Sequence, residues 1–207
     1  KNLIMFLISI IIALGIFFGM GEIYARFIAK KPYLSGLVNP NRVFHHLPPL
    51  YYKYTMRSED DYDASFTTNN RGMRGPGDYT YFKDKNLLRI AVLGDSFIFG
   101  VGVPVEQTVC YLLEKILSTA GGKKYQVYNF GVYSFSPVLE YIYVQQEIVK
   151  YDPDLVILML DISDVQDDYF YEPHLVRDSS GEIIACDPFL VNGKPDIWAI
   201  CMKYSRF

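Results

Sequence analysis

Three short strings of small and polar residues contain the side chains of this sequence that could do chemistry. They are Gly94-Asp95-Ser96, Asn129-Phe130-Gly131 and Asp161-Ile162-Ser163-Asp164. A serine on a sharp turn after a strand can act as a nucleophile, because its hydroxyl stands clear of the sheet and nearby backbone N–H groups can stabilise an oxyanion. Taken alone, Gly-Asp-Ser could also be simply a tight turn between a strand and a helix.

Each string follows an apolar run that predicts a buried strand. The predicted strands cover residues 88–93, 125–129 and 155–160. Between them, residues 106–120 have apolar side chains at helical spacing and end at a Gly-Gly pair, and a second helix starts at Ser136-Pro137 and runs to about Tyr151.

This alternation of strands and helices predicts an α/β fold with a parallel sheet covered by helices. Ligands of such sheets bind beyond the carboxyl ends of the strands, where we expect the three strings to meet. Residues 175–197 contain turn signals, Asp178 to Gly181 and Asn192-Gly193, and are predicted to form a small antiparallel excursion.

The string from Gly94 to Val103, GDSFIFGVGV, resembles the first block of the SGNH (GDSL-type) hydrolases, above all their membrane-anchored members. Arg89-Ile90 before it and the string from Asn70 to Arg74 are similar to sequences found upstream of that block. Asn129-Phe130-Gly131 resembles the second block. The third block is altered, because Ser163 stands where the family has an asparagine. The resemblance covers about residues 66–170 and implies a three-layer, flavodoxin-like SGNH fold.

The resemblance also implies roles for the site residues. Ser96 would be the nucleophile, and the N–H groups of Ser96 and Gly131 would form the oxyanion hole with the Ser163 hydroxyl as a third donor. The supporting residues would be Asp95, which more simply fixes the turn, with Asp161 and Asp164. The implied protein is a serine esterase or O-acyl transferase that acts on acyl esters of cell-envelope carbohydrate and needs no cofactor or metal.

Two other functions stay open at this point. One is a non-catalytic SGNH-like scaffold or carbohydrate-binding module of the cell envelope, which the altered third block favours. The other is nucleotide binding, which we rank last because the glycine spacing from Gly94 to Gly102 fits neither G-x-G-x-x-G nor G-x-x-x-x-G-K-[ST].

The general base is missing from the pattern. SGNH hydrolases take it from an Asp-x-x-His string, and none of His45, His46 and His174 has an aspartate three residues before it. We therefore expect the sequence to be the N-terminal portion of a longer protein, with the C-terminal part of the domain missing and with little esterase activity of its own.

The first segment is predicted to anchor the protein in a membrane. Residues 3–21 are 19 residues without a charge, which as a helix cover about 28 Å, close to the thickness of the hydrocarbon core. A cleaved signal peptide is the alternative. The basic residues after the span would place the domain in the cytoplasm, whereas the resemblance places it outside. The expected division is an anchor at 1–25, an irregular neck at 26–86 that packs on the domain, and the SGNH-like domain from 87 to 207.

Composition and local motifs limit the remaining possibilities. The chain has a net charge of −3 and no run of Lys or Arg, so a nucleic-acid partner is not expected. Three cysteines, Cys110, Cys186 and Cys201, lack the spacing of a zinc site. The string from Asn69 to Gly75 predicts a turn, with a loop that brings Arg71 or Arg74 to an anion as the alternative.

Overall fold

A computed structural model describes residues 2–23, 37–57, 63–196 and 199–200. The chain divides into two compact units, Lys1–Ser35 and Gly36–Phe207. In the first unit, helix α1 covers Asn2–Ile23, and its described side chains, from Met5 to Met20, are all exposed. A search of the described residues finds no helix with the length and apolarity needed to cross a membrane. The predicted anchor therefore has no support from the structure and stays a prediction.

The second unit begins with irregular structure and two small hairpins, continues as an alternation of strands and helices, and ends in two further hairpins. Its elements are β1 (Asn39–Asn41), β2 (His45–Leu47), β3 (Lys53–Arg57), β4 (Asp63–Thr67), β5 (Leu87–Gly94), α2 (Ser96–Phe99), α3 (Val109–Thr119), β6 (Lys124–Gly131), α4 (Pro137–Gln146), β7 (Leu155–Leu158), α5 (Asp164–Tyr171), β8 (Leu175–Arg177), β9 (Ile183–Cys186), β10 (Leu190–Val191) and β11 (Lys194–Pro195). Single 3₁₀ turns lie at Val105–Gln107, Ile148–Tyr151 and Glu172–His174.

The predicted parallel sheet is confirmed. Its order is β6-β5-β7, with β5 parallel to both neighbours over registers such as Val92 with Asn129 and Val92 with Ile157. The apolar residues in the second halves of β5 and β6 are buried and pack against residues of α2, α3 and α4. The prediction that the third strand is buried is wrong, because β7 lies at an edge and Leu155 and Leu158 are about half exposed.

Both predicted helices of this unit exist, with shorter bounds. Helix α3 begins at Val109 because Thr108 caps it, its hydroxyl accepting from the Tyr111 N–H. Helix α4 starts at Pro137 as predicted but ends at Gln146. The backbone leaves the helix at Glu147, and a 3₁₀ turn follows up to Asp152, which adopts the left-handed conformation just before a proline.

The segment predicted as a neck forms part of the second unit where the structure describes it. Hairpins β1–β2 and β3–β4 lie in it, and Met73 and Tyr79 are buried in the same core cluster as β5 and β6. Arg89 of β5 extends this connection. Its buried guanidinium donates to the carbonyl oxygens of Tyr81, Phe82 and Tyr151.

The antiparallel excursion after α5 is confirmed as the hairpins β8–β9 and β10–β11. The second of these turns at Asn192 and Gly193, both at positive φ, as the Asn-Gly pair predicts. Cys110 and Cys186 are buried free thiols, and Cys201 lies outside the described residues.

Candidate active site

The turn after β5 and the segment after β7 meet at the carboxyl edge of the sheet. From β5 the chain crosses to β6 on one side and then to β7 on the other side, so the crevice between the carboxyl ends of β5 and β7 is the switch point where open α/β sheets bind ligands. There Asp95 and Asp161 lie close enough to shift each other's pKa, since the charge of Asp161 adds to burial in raising the pKa of Asp95, and a hydrogen bond with Asp95 adds to those from Ser163 in lowering that of Asp161. Gly94 is also in register with Gly131 of β6. The three strings of the sequence therefore share one edge.

Ser96 is the first residue of α2, and Asp95 holds it there. One carboxylate oxygen of Asp95 accepts from the Phe97 N–H at 2.8 Å and caps the helix. The other accepts from the Ser96 hydroxyl at 3.3 Å. Ser96 itself is half-buried, so its hydroxyl is oriented by a carboxylate while the residue keeps access to solvent.

Two glycines let the turn pack this tightly. A Cβ on Gly131 would lie 2.7 Å from the backbone carbonyl carbon of Ile98 and closer still to the Phe99 N–H. A Cβ on Gly94 would lie 2.5 Å from the side chain of Ile98. Asn129 adds a polar link, because its amide donates to the Ile98 carbonyl at 2.8 Å. Strand β6 thus fixes the backbone of the helix that carries Ser96.

Two of the predicted oxyanion donors are already engaged inside the protein. The Gly131 N–H donates to the side-chain oxygen of Asn129 at 2.9 Å. The Ser163 hydroxyl and the Ser163 N–H both donate to Asp161, each at 2.6 Å. In the structure the Gly131 N–H and the Ser163 hydroxyl therefore stabilise their own turns, instead of standing free to bind an oxyanion as expected. Ser96 keeps an N–H without a hydrogen-bond partner among the described residues.

Ser134 is a residue of this edge that the sequence reasoning missed. It lies in the turn three residues beyond Gly131 and adopts a positive φ of 53°, which is uncommon for a serine. Its carbonyl accepts from the Tyr171 hydroxyl at 2.7 Å, and its N–H has no partner among the described residues. In the sequence, the signal for Ser134 is its place between two aromatic residues, Tyr133 and Phe135. Both rings are buried in the structure.

Carboxyl groups dominate the electrostatics of the edge. We call the set the carboxyl cluster, and it comprises Asp95, Glu140, Asp161, Asp164, Asp167 and Asp168. Burial, and then the charge of Asp161, raise the pKa of Asp95, and burial likewise raises the pKa values of Asp164 and Asp167. Hydrogen bonds from Ser163 lower the pKa of Asp161 instead.

Arg74 is buried and binds the backbone of the loop that follows the helix of Ser96. It is 1 % exposed, and its guanidinium donates to the carbonyl oxygens of Gly100 and Val103 in the loop after α2. The turn predicted from Asn69 to Gly75 is present, and in it the Asn69 side chain accepts hydrogen bonds from the N–H groups of Arg71 and Met73. Arg71 stacks on the ring of Tyr81.

The three histidines of the chain form a second group, the histidine cluster of buried His46 and partly buried His45 and His174. The Nδ1 atoms of His45 and His46 lie 2.9 Å apart, and the rings of His45 and His174 have centroids 5.5 Å apart. His46 Nε2 donates to the Tyr133 carbonyl at 2.5 Å. Among the described residues the Ser96 hydroxyl bonds to Asp95 and not to a histidine.

A scan of the chain against protein-family models finds no match, and no curated protein matches it. Within the part of the chain that the structure describes, no three His, Cys, Asp or Glu side chains are arranged to hold a metal ion.

Proposed function

We propose that the protein is a serine esterase or O-acyl transferase of the SGNH type, with Ser96 as nucleophile and acyl esters of envelope carbohydrate as substrates. The observation that supports this most is the place of Ser96, half-buried at the switch point of a parallel sheet with its hydroxyl oriented by Asp95 at 3.3 Å. The strand order agrees with the first three strands of flavodoxin-like sheets, 2-1-3 along the chain.

The proposed reaction begins when the Ser96 oxygen attacks the acyl carbonyl carbon and loses its proton to a base. The N–H of Ser96 donates to the resulting oxyanion, together with a second N–H from the turn after β6. The carbonyl then re-forms, the alcohol leaves with the proton, and the acyl group stays on Ser96. Water or a second hydroxyl group takes up the acyl group and regenerates the serine.

A non-catalytic envelope scaffold is the second candidate, and one observation favours it. The donors expected from Gly131 and Ser163 are engaged with Asn129 and Asp161. Loss of one oxyanion donor costs about 10²–10³ in rate. A protein that keeps the turn at Ser96 while its oxyanion donors bond to its own side chains is suited to binding envelope carbohydrate without catalysis.

Turnover of a small aryl ester by the full-length protein tests the proposal. We expect Ser96→Ala to lower turnover by about 10⁴-fold or more and to leave the circular dichroism spectrum unchanged. Ser118→Ala, an exposed serine of α3, serves as the matched control and should keep the wild-type rate. Equal turnover by wild type and Ser96→Ala would exclude Ser96 as the nucleophile.

We further propose that residues 3–21 attach the protein to a membrane, with the domain outside the cytoplasm. The support is the uncharged, apolar sequence of this segment and the resemblance of the string from Gly94 to Val103 to membrane-anchored SGNH hydrolases. Carbonate washing should leave the protein in the membrane fraction, and externally added protease should digest the domain in spheroplasts. Release by carbonate, or protection from the protease, would contradict the respective half of the proposal.

A further inference from the structure

Glu140 lies in the first turn of α4 and is 2 % exposed. Its Oε2 atom is buried and has no hydrogen-bond partner among the described residues. The hydroxyl of Ser136, which precedes the helix, is likewise buried and unpartnered. A buried carboxylate without a partner is strongly unfavourable, and such groups normally become neutral instead.

The groups that face Glu140 all carry the same sign. Asp164 and Asp168 come from α5, and Asp95 comes from the turn after β5. No basic side chain of the described residues acts on Glu140. The Val138 N–H donates to Asp168 at 3.0 Å and joins α4 to α5 beside it.

Two of these neighbours hold the proposed site together. Asp164, itself 5 % exposed, accepts from the Asp161 N–H at 2.8 Å and so closes the turn after β7. Asp95 caps α2 and orients the Ser96 hydroxyl. A further negative charge at Glu140 would repel both.

We propose that Glu140 is a positioning residue of the Ser96 site, which as a buried neutral carboxylic acid adds no charge beside Asp95 and Asp164 and whose ionisation opens the site at alkaline pH. The part of this proposal that concerns catalysis rests on the proposed esterase function, whereas the state of Glu140 does not.

The charge state follows from burial first and from the neighbouring carboxylates second. Together they raise the pKa of Glu140 from 4.5 to about 8. The folded protein therefore keeps a proton that the unfolded chain has lost between these two values. The stabilisation is complete below about pH 4.5 and is lost as the pH rises through about 8, at a rate of up to about tenfold in the folding equilibrium constant per pH unit.

Glu140→Gln is the decisive variant, because glutamine has nearly the same shape and is neutral at every pH. We expect wild-type aryl esterase activity to fall above about pH 8, in line with the raised pKa, and the fall to be absent in Glu140→Gln. Glu172→Gln, an exposed glutamate after α5, is the control and should keep the wild-type profile. An alkaline fall of the same size in Glu140→Gln would overturn the proposal.

Two readouts work without catalysis. Urea unfolding from about pH 6.5 to 8, above the range in which the histidines of the unfolded chain take up protons, should show a decrease of stability in wild type that is weaker in Glu140→Gln, and equal slopes would overturn the inference. If Glu140→Gln does not fold, the infrared carbonyl band of a protonated carboxyl in wild type decides, since it should be present at pH 7 and lost by about pH 9. If the slopes differ but no ester is hydrolysed, the proposed function fails and the state of Glu140 stands.

Discussion

The carboxyl cluster and the histidine cluster solve the same electrostatic problem in opposite ways. Each brings titratable groups of one kind together around buried members, Glu140 and Asp164 in the first and His46 in the second. Burial and the neighbouring histidines lower the pKa of His45 to about 3, so it stays neutral by giving up its proton, whereas Glu140 stays neutral by keeping one. The two clusters therefore limit the stability of the fold at opposite ends of the pH scale, and the carboxyl cluster contacts the Ser96 hydroxyl through Asp95.

Gly131→Ala should disrupt the packing of α2 beside the carboxyl cluster and have the largest effect on stability. The added Cβ would collide with the backbone of Ile98 and Phe99, so we expect a loss of about 3 kcal/mol in the free energy of unfolding, measured by urea denaturation. Gly77→Ala, where the Cβ would meet nothing within 4 Å, is the control and should change little. A wild-type denaturation midpoint for Gly131→Ala would show that β6 and α2 are not in close contact.

His45→Asn should remove the acid limit. His45 is neutral in the folded protein, while in the unfolded chain it takes up a proton below about pH 6.5, so the free-energy cost of keeping His45 neutral in the folded protein grows as the pH drops from 6.5 towards about 3. At pH 5 this cost is about 2 kcal/mol. Asparagine cannot be protonated and tolerates the positive φ of 60° at this position.

The test of this acid limit is the difference in unfolding free energy between pH 7 and pH 5. It should be smaller in His45→Asn than in wild type, with the alkaline behaviour unchanged. An identical acid-induced loss in both proteins would mean that the histidine cluster is open to solvent.

The strands of the sheet could be predicted from the sequence, whereas the histidine cluster could not. The apolar runs around Val92, Val127 and Ile157 predicted the three parallel strands because apolar runs of this length between turn signals are a local signature of strands, but they did not reveal that β7 is exposed. The histidine cluster could not be predicted, since His45 and His174 are far apart in sequence and meet only through tertiary packing.

At the candidate site the position of Ser96 was predictable from its string, but the use of the nearby donors was not. The sequence does not reveal that the Gly131 N–H is engaged by Asn129 or that Ser134 adopts a positive φ. Both depend on how the turn after β6 packs, which no periodic pattern records.

Asp95→Ala should have the smallest effect on stability and sharpen the role of the carboxyl group at the turn. Loss of the cap on Phe97 should cost about 1 kcal/mol in the free energy of unfolding, whereas Asp95→Asn keeps an acceptor for the cap and should cost less. Thermal denaturation of the two variants measures the difference. If both variants are as stable as wild type, the helix does not depend on the cap.

Covalent labelling by a fluorophosphonate probe tests directly whether Ser96 is an activated nucleophile. The full-length protein should form an adduct whose mass maps by peptide sequencing to Ser96, and heat denaturation before the reaction should abolish it. Wild-type protein that is folded but stays unlabelled at Ser96, or that is labelled at another serine to the same extent in Ser96→Ala, would contradict the assignment of Ser96 as an activated nucleophile and favour the scaffold.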